Sequence, residues 1–349
     1  MKALLTDGNE GVCIGEIDAP TPSKGEILVK VSHVAQNPTD WYGLDLPAGR
    51  VVGCDFVGTV VDSNGSRWPQ GLRVGGWVHG KRADPVRGAF AEYLVTESDM
   101  VFPVPAAITD QQAATVPAAF ATAVQAMVLH LKLPEPKDQD PPATAAATPF
   151  LINGGSTSVG MYAIQFAKLC GLYVIATGSR NNHALLKSLG ADVVVDYSSS
   201  NWAKRVRRIT SDGLQHALNC VDQYASILST IAALSPAGGG HVVSLLPVGP
   251  VRESGEFDEE KVKLESMCAY STFGRPFPGY DKFDNHDGPT PDHKALWDKY
   301  IALLPELLRR EKIRPNPVRS FGTIDNVPAG FEEQRNGNVK AEKLVYNIG

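Results

Sequence analysis

A turn of small residues between an apolar run and a helical pattern is the part of this sequence best suited to bind a charged ligand. Residues 150–153 predict a buried strand, and the apolar spacing that starts at Val159 predicts a helix ending near Gly171. At a helix N-terminus, unpaired backbone N–H groups and the helix dipole stabilise a pyrophosphate. The residues of this turn that would hold a pyrophosphate are Gly154, Gly155, Ser156, Thr157, Ser158 and Val159.

The glycine pattern of this turn is incomplete. Thr157 stands where the G-x-G-x-x-G register of Gly155 and Gly160 expects a glycine. Taken alone, the turn therefore also fits an ordinary strand-to-helix connection.

The residues after the turn favour a dinucleotide site. Residues 172–177 and 193–195 predict two further strands, and Asn181 is predicted to cap a helix between them. This βαβαβ order continues with strands near 215–220 and 241–245. It predicts a doubly wound parallel sheet.

The charge beyond the second strand indicates which dinucleotide is bound. An NAD site places Asp or Glu about 20 residues past the glycines, where it holds the ribose 2′-hydroxyl. Here residues 177–182 (TGSRNN) contain no acid, and the next acid is Asp192. Ser179 and Arg180 are donors suited to a 2′-phosphate, so the sequence predicts NADP(H), although Arg180 alone also fits a solvated loop charge.

Composition limits the protein class. The 349 residues exceed the usual size of one domain, and 43% hydrophobic with 20% charged residues is typical of a globular protein. The net charge of −5, with no basic cluster beyond residues 204–208, argues against a nucleic-acid partner. The sequence offers no signal-peptide core at Met1 and no apolar run of membrane-spanning length, so we expect a cytoplasmic protein that does not insert into membranes.

The pattern of elements predicts two domains. Residues 1–116 alternate short strands with Gly, Pro and Asp turns, which predicts a small β-barrel, and residues 117–274 form the nucleotide-binding half. Residues 275–349 are expected to return to the first domain through a helix kinked or interrupted at Pro305 and a last strand from Lys343. The Pro- and Ala-rich loop at 133–147 is predicted to be exposed and mobile.

Seven segments spread over essentially the whole chain match a known family: 37–41 (NPTDW), 53–58 (GCDFVG), 88–93 (GAFAEY), 117–123 (PAAFATA), 154–160 (GGSTSVG), 188–197 (SLGADVVVDY) and 342–345 (EKLV). With them the chain resembles the medium-chain dehydrogenase/reductase superfamily. Within it, residues 154–157 (GGST), the Pro-rich loop near 133–149 and residues 271–274 (STFG) resemble the fungal trans-acting enoyl reductases that work with polyketide synthases. The resemblance implies an α/β protein, with a GroES-like β-barrel catalytic domain and a Rossmann nucleotide-binding domain.

The chain departs from the zinc enzymes of that superfamily. Where they carry Gly-His-Glu, this chain has Gly53, Cys54 and Asp55, and it lacks their four clustered cysteines. A lone cysteine does not make a tetrahedral N/S site, so we expect no metal. Without a Lewis acid, reduction of a C=C bond conjugated to a carbonyl is favoured over carbonyl reduction.

The resemblance also implies the site residues. Tyr42 stands where related proteins often carry lysine and is the candidate proton or hydrogen-bond donor, although a tyrosine packed in the barrel wall is the alternative. Thr122 is expected beside the nicotinamide. Asn37 is expected near the reacting carbonyl, although Asn before Pro is also an ordinary turn signal. The remaining cofactor contacts implied are Ser179, Arg180, Asn182, Tyr197, Leu245, Pro247, Phe273, Gly274 and Lys343.

Three functions follow as hypotheses. The first is an NADPH-dependent enoyl reductase acting on a polyketide thioester held by a carrier protein of a partner synthase, as a monomer. The second is a stand-alone quinone or enone reductase. The third is a non-catalytic NADPH-binding protein, since a fold alone does not guarantee chemistry.

Overall fold

The computed structural model describes residues 1–81, 84–136, 147–276, 283–284 and 290–349. Most of the loop predicted to be mobile, residues 137–146, lies outside the described residues. The chain forms two compact units: Met1–Ala119, Ala295–Glu311 and Pro315–Gly349 make the first, called the β-rich unit, and Phe120–Lys294 with Lys312–Arg314 make the second, called the nucleotide unit. The expected domain boundary at 274/275 lies 20 residues before the return to the β-rich unit at Ala295.

The strands are β1 (Lys2–Thr6), β2 (Val12–Glu16), β3 (Glu26–Ala35), β4 (Asp55–Asp62), β5 (Arg73–Trp77), β6 (Tyr93–Glu97), β7 (Val101–Pro103), β8 (Pro149–Asn153), β9 (Tyr173–Thr177), β10 (Val193–Val195), β11 (His216–Asn219), β12 (Gly240–Ser244), β13 (Val262–Ser266), β14 (Val318–Thr323) and β15 (Lys343–Asn347). The α-helices are α1 (Pro38–Trp41), α2 (Asp110–Ala114), α3 (Pro117–Gln125), α4 (Ser158–Leu169), α5 (His183–Ser188), α6 (Trp202–Ile209), α7 (Tyr224–Ile231), α8 (Gly249–Glu253), α9 (Pro291–Arg309) and α10 (Val327–Arg335). A π-helical turn, Ala126–His130, follows α3.

The β-rich unit contains a seven-stranded sheet with the order β14-β15-β3-β4-β5-β7, and β6 also pairs with β3. The long strand β3 is central to this sheet, because it pairs with β15, β4 and β6. Its buried residues, among them Val29, Val31 and Val34, pack into the core with Phe56 and Phe90. β15 pairs antiparallel with β3. The C-terminal segment therefore packs back on the first unit, as predicted.

The nucleotide unit contains a six-stranded parallel sheet with the order β10-β9-β8-β11-β12-β13. In sequence order this is 3-2-1-4-5-6, the doubly wound arrangement, and it confirms the predicted fold class. The glycine turn follows β8, the strand at which the order reverses, and such a switch point is where these sheets bind ligands.

One helix prediction was wrong in detail. Asn181 does not cap a helix, because Arg180–Asn182 form a 3₁₀ turn in which the Asn182 N–H bonds to the Ser179 carbonyl, and α5 begins only at His183. Helix α9 continues through Pro305, so it is not interrupted there, and a kink at this proline stays a prediction.

One helical stretch, Asp110–His130, is long and apolar enough to cross a membrane by length and composition. In the structure, 72% of its most apolar window is buried inside the protein. Core helices of water-soluble folds pass the same test, and this burial makes the stretch part of the protein core.

Candidate functional site

The turn after β8 has the backbone that a pyrophosphate site requires. Gly154 adopts φ = +84°, a left-handed conformation that favours glycine. A Cβ on Gly155 would lie 2.9 Å from the Ala176 Cβ on β9, and one on Gly160 would overlap the Gly154 carbonyl oxygen. These glycines let α4 begin close against the strands, so the residues present fit a dinucleotide pyrophosphate at this helix N-terminus.

Thr157 accounts for the missing middle glycine. It is the N-cap of α4: its Oγ1 accepts the Gly160 N–H at 3.0 Å and donates to the Gly154 carbonyl at 2.8 Å. The hydroxyl therefore closes the turn from within, and this explains why a threonine suits that position.

A buried polar network behind the turn was not predicted from the sequence. The Thr177 Oγ1 accepts the Gly154 N–H at 2.9 Å and donates to the Asn153 Oδ1 at 2.6 Å, and the Asn153 Nδ2 donates to the Asn219 Oδ1 at 3.1 Å. These three side chains end β8, β9 and β11, which meet at one sheet edge. A polar residue closing each apolar strand is the sequence signal that could have found them.

The structure corrects the expectation that the ribose end of the site lacks an acid. Asp196, directly after β10, accepts from the Arg180 Nε at 3.0 Å and from the Ser198 N–H and hydroxyl at 3.0 and 2.7 Å. The hydrogen bonds from Ser198, foremost its hydroxyl, hold the pKa of Asp196 below its usual value. The residues after the second strand, β9, give no sign of this carboxylate, because Asp196 follows the next strand, β10. The two strands are parallel, so their carboxyl ends lie together.

Arg180 keeps most of its guanidinium in solvent, with 87% of the side chain exposed. Ser179 begins the 3₁₀ turn that carries Arg180 and Asn182, and Tyr197 is exposed beside Asp196. The predicted 2′-phosphate contacts are thus grouped at the ends of β9 and β10.

The residues predicted to border the nicotinamide also lie in the nucleotide unit. Leu245 follows β12 directly and its N–H donates to the Asn219 carbonyl at 3.3 Å, and Pro247 precedes α8. Phe273 is buried at the end of a 3₁₀ turn that Gly274 terminates with φ = +67°. Thr122 is half-buried on α3.

In the β-rich unit, Asp55 is the centre of a buried network. Its Oδ2 accepts the Asn37 Nδ2 at 2.9 Å and pairs with the Lys343 ammonium, while its Oδ1 accepts the Ala118 N–H at 2.8 Å. The Asn37 Nδ2 also donates to the Ala35 carbonyl at 3.4 Å. Both N–H directions of the Asn37 amide, and the Lys343 ammonium, are therefore directed to partners within this unit.

This network changes how two predicted residues are understood. Lys343 was expected to contact the cofactor, but its ammonium is in a buried ion pair with Asp55. Asn37 was expected near a reacting carbonyl, but its donors face Asp55 and Ala35. The contacts observed for both residues are structural, and their roles toward ligands stay predictions.

Tyr42 is not packed into a barrel wall. It is the residue after α1, 36% exposed, and its ring lies 4.1 Å from the Trp41 ring between centroids. An exposed phenol at this position is able to act as a hydrogen-bond or proton donor.

Among the described residues, no group of three or more His, Cys, Asp or Glu side chains is arranged to hold a metal ion. Cys54 is buried, with its sulfur 3.8 Å from the Thr39 Oγ1. Burial raises the pKa of neighbouring Asp40 to about 6.

Comparisons with known families match both units. Residues 23–106 match the alcohol dehydrogenase GroES-like domain, and residues 158–275 match the zinc-binding dehydrogenase family.

Relatives match over the whole length. The chain is 34% identical to a zinc-type alcohol dehydrogenase-like protein of Schizosaccharomyces pombe, covering 100% of both chains. It is 33% identical to the trans-enoyl reductase ACTTS2 of Alternaria alternata, covering 99% of this chain and 98% of the relative. The CurK enoyl reductase structure shares the fold, with a TM-score of 0.75 and 20% identity over 100% of this chain and 99% of that one.

Proposed function

Because the chain belongs to the medium-chain dehydrogenase/reductase superfamily of nicotinamide-dependent oxidoreductases, we propose that it is an NADPH-dependent, zinc-independent enoyl reductase. Its substrate is an α,β-unsaturated acyl thioester held on a carrier protein of a partner polyketide synthase. The Alternaria alternata relative, named a trans-enoyl reductase, supports this reaction.

The closed network around Asp55 is the observation that carries the proposal. The side-chain donors of Asn37 and Lys343 are directed at this carboxylate. The polar side chains here are the Asn37 amide, the Cys54 thiol and the Asp55 carboxylate, which is paired with Lys343. They do not supply the nitrogen and sulfur ligands that zinc prefers. A reaction that needs no Lewis acid fits these residues best.

Conjugate reduction is such a reaction. When bound, the reduced nicotinamide supplies a hydride to the β-carbon of the substrate. The electron pair of the double bond then moves toward the carbonyl, which gives an enolate with its negative charge mainly on the oxygen. The α-carbon of this enolate then takes a proton. A hydrogen bond from the Tyr42 hydroxyl would stabilise that oxygen or deliver that proton, because Tyr42 is an exposed donor at the end of α1.

The preference for NADPH rests on Arg180. The Arg180 Nε donates to Asp196, and within the described part of the chain the two terminal amino groups of Arg180 have no partner. A guanidinium held by Nε presents those groups in the geometry that binds a phosphate through two hydrogen bonds.

A monomer is supported by the outer edge of β13, the last strand of the parallel sheet. The Arg252 guanidinium donates to the Leu264 carbonyl and pairs with Asp284 at 2.5 Å, and Asp284 accepts the Ser266 N–H at 2.5 Å. Arg252 and Asp284 thus hydrogen-bond to backbone groups of β13 that would otherwise be available to pair with a strand of a second copy.

The test measures NADPH oxidation with an α,β-unsaturated acyl thioester on a pantetheine or carrier-protein handle, beside a simple quinone. Turnover of the thioester but not the quinone supports the proposal, and a loss of about tenfold or more in Tyr42→Phe supports the donor role. Turnover of the quinone alone would assign a stand-alone quinone reductase. Tight NADPH binding without turnover of either substrate would assign a non-catalytic binding protein.

A further inference from the structure

A buried lysine, Lys81, holds the end of the short helix before Tyr42. Its Nζ donates to the Asp40 carbonyl at 2.9 Å and to the Tyr42 carbonyl at 2.6 Å. The lysine is 4% exposed, so this ammonium is removed from water and directed at backbone oxygens. A cation at this end of α1 also complements the negative end of the helix dipole.

The backbone of Lys81 is in an unfavourable conformation. Its φ is +55°, in the left-handed region that side-chain-bearing residues adopt at a cost of about 1 kcal/mol or more. Its N–H is shared between the Val51 and Arg87 carbonyls, and the Arg50 guanidinium donates to its carbonyl. The surrounding chain therefore fixes Lys81 in place from both sides of the peptide.

Asp40 supplies the opposite charge and holds the other end of α1. Its Oδ2 accepts the Asn37 N–H at 2.7 Å, and its carboxylate attracts Lys81. The four-residue helix is too short to be stable by its own hydrogen bonds. It is instead held by Asp40 at its start and by Lys81 at its end.

The ring of Tyr42 is restrained separately. It packs on Trp41, whose Nε1 donates to the Gln334 Oε1 at 2.9 Å and whose face lies 5.2 Å from the Arg335 guanidinium carbon. The backbone of Tyr42 thus depends on Lys81, and its ring depends on α10.

We propose that Lys81 is a positioning residue that fixes the backbone of Tyr42, so that the phenol reaches the reacting oxygen in one orientation. The part of this inference that concerns catalysis rests on the proposed function. Misplacing a catalytic group by about 1 Å can lower the rate about a hundredfold. Hydrogen bonds from the buried Lys81 ammonium to the Asp40 and Tyr42 carbonyls would prevent such a displacement of Tyr42.

The test is a double-mutant cycle between Lys81→Met and Tyr42→Phe, with steady-state kinetics on the enoyl thioester. Lys81→Met is expected to lower kcat about tenfold or more and to leave the KM for NADPH within about twofold. In the Tyr42→Phe background the same change is expected to alter kcat by less than about twofold, because the group it positions is gone. Equal losses in both backgrounds would overturn the inference.

A matched control separates positioning from stability. Val60→Ala removes buried methyl groups from β4 in the same unit, and Val60 takes no part in the hydrogen bonds that hold α1 and Lys81. It is expected to lower Tm without lowering kcat. If Lys81→Met does not fold because it leaves Asp40 uncompensated, Lys81→Met/Asp40→Asn removes both charges and enters the same cycle.

Hydrogen exchange gives a readout that is independent of turnover. The Tyr42 N–H, bonded to the Pro38 carbonyl at 3.0 Å, is expected to exchange about tenfold or more faster in Lys81→Met than in Val60→Ala. If the wild type reduces no enoyl thioester, the proposed function fails. The exchange measurement still tests whether Lys81 fixes the backbone of Tyr42. Unchanged exchange in the variant, or an unprotected Tyr42 amide in the wild type, would overturn the inference.

Discussion

The ammonium of Lys343 lies against the carboxylate of Asp55, 288 residues earlier in the chain, and both side chains are buried. The same carboxylate accepts from Asn37 and from the Ala118 N–H. One buried anion therefore joins the N-terminal strands, the start of α3 and the last strand.

Removing the cation of this pair should destabilise the protein strongly. Lys343→Met leaves Asp55 buried without its counter-charge, and we expect a loss of about 3–5 kcal/mol in the free energy of unfolding. Urea unfolding followed by circular dichroism measures it. Lys343→Met/Asp55→Asn should recover part of the loss, and a single-variant loss below about 1 kcal/mol would contradict the assignment.

How far the sequence predicted the structure depends on the range of the interactions. The turn at Gly154 and helix α4 were predicted correctly because strand, glycine and cap signals occur within a few residues of each other. The Lys343–Asp55 ion pair and the hydrogen bonds from Lys81 to the end of α1 join residues that are distant in the sequence. No local sequence pattern indicates either of them.

Asp40 should make the protein less stable as pH rises from about 4 to 6. Its pKa is raised from 3.8 to about 6, mainly by burial, so the folded state holds a proton that the unfolded state releases in this window. The stability lost between the two pKa values is up to about 3 kcal/mol. Urea midpoints of wild type and Asp40→Asn at several pH values measure it, and a constant difference between them would contradict the prediction.

A histidine cluster in the nucleotide unit should act in the opposite direction. Burial, with His130 nearby, lowers the pKa of His293 from 6.5 to about 4, while His130 and His241 both face Glu265. The unfolded state therefore binds the proton first, and stability falls as pH drops from 6.5 toward 4. Thermal unfolding of His293→Gln should show a smaller loss of Tm over that range than wild type, and parallel curves would argue against it.

Arg180 should decide between the two dinucleotides. Arg180→Ala removes the donors proposed for the 2′-phosphate, and a charge-assisted contact of about 1.5–3 kcal/mol corresponds to a rise of roughly 10- to 100-fold in the Kd for NADPH. The Kd for NADH should change by less than about twofold. Fluorescence titration with both nucleotides measures this, and equal weakening would indicate a general loss of the site.

Uncovering the edge of β13 should permit association. Arg252→Ala removes the donor to the Leu264 carbonyl and the partner of Asp284. We expect the wild type to be monomeric and the variant to form concentration-dependent dimers. Light scattering after size exclusion measures the mass, with Arg205→Ala on the exposed face of α6 as control, and a dimeric wild type would refute the role of this pair.

The pairing of β15 with β3 has a consequence for synthesis of the protein on the ribosome. The sheet of the β-rich unit needs strands from both ends of the chain, whereas the nucleotide unit is continuous from Phe120 to Lys294 except for Lys312–Arg314. Domains fold as units while the chain emerges. The central unit is therefore able to fold first. In β3, His33, Val34 and Ala35 lack their partner strand β15 until the last residues of the sheet have been translated.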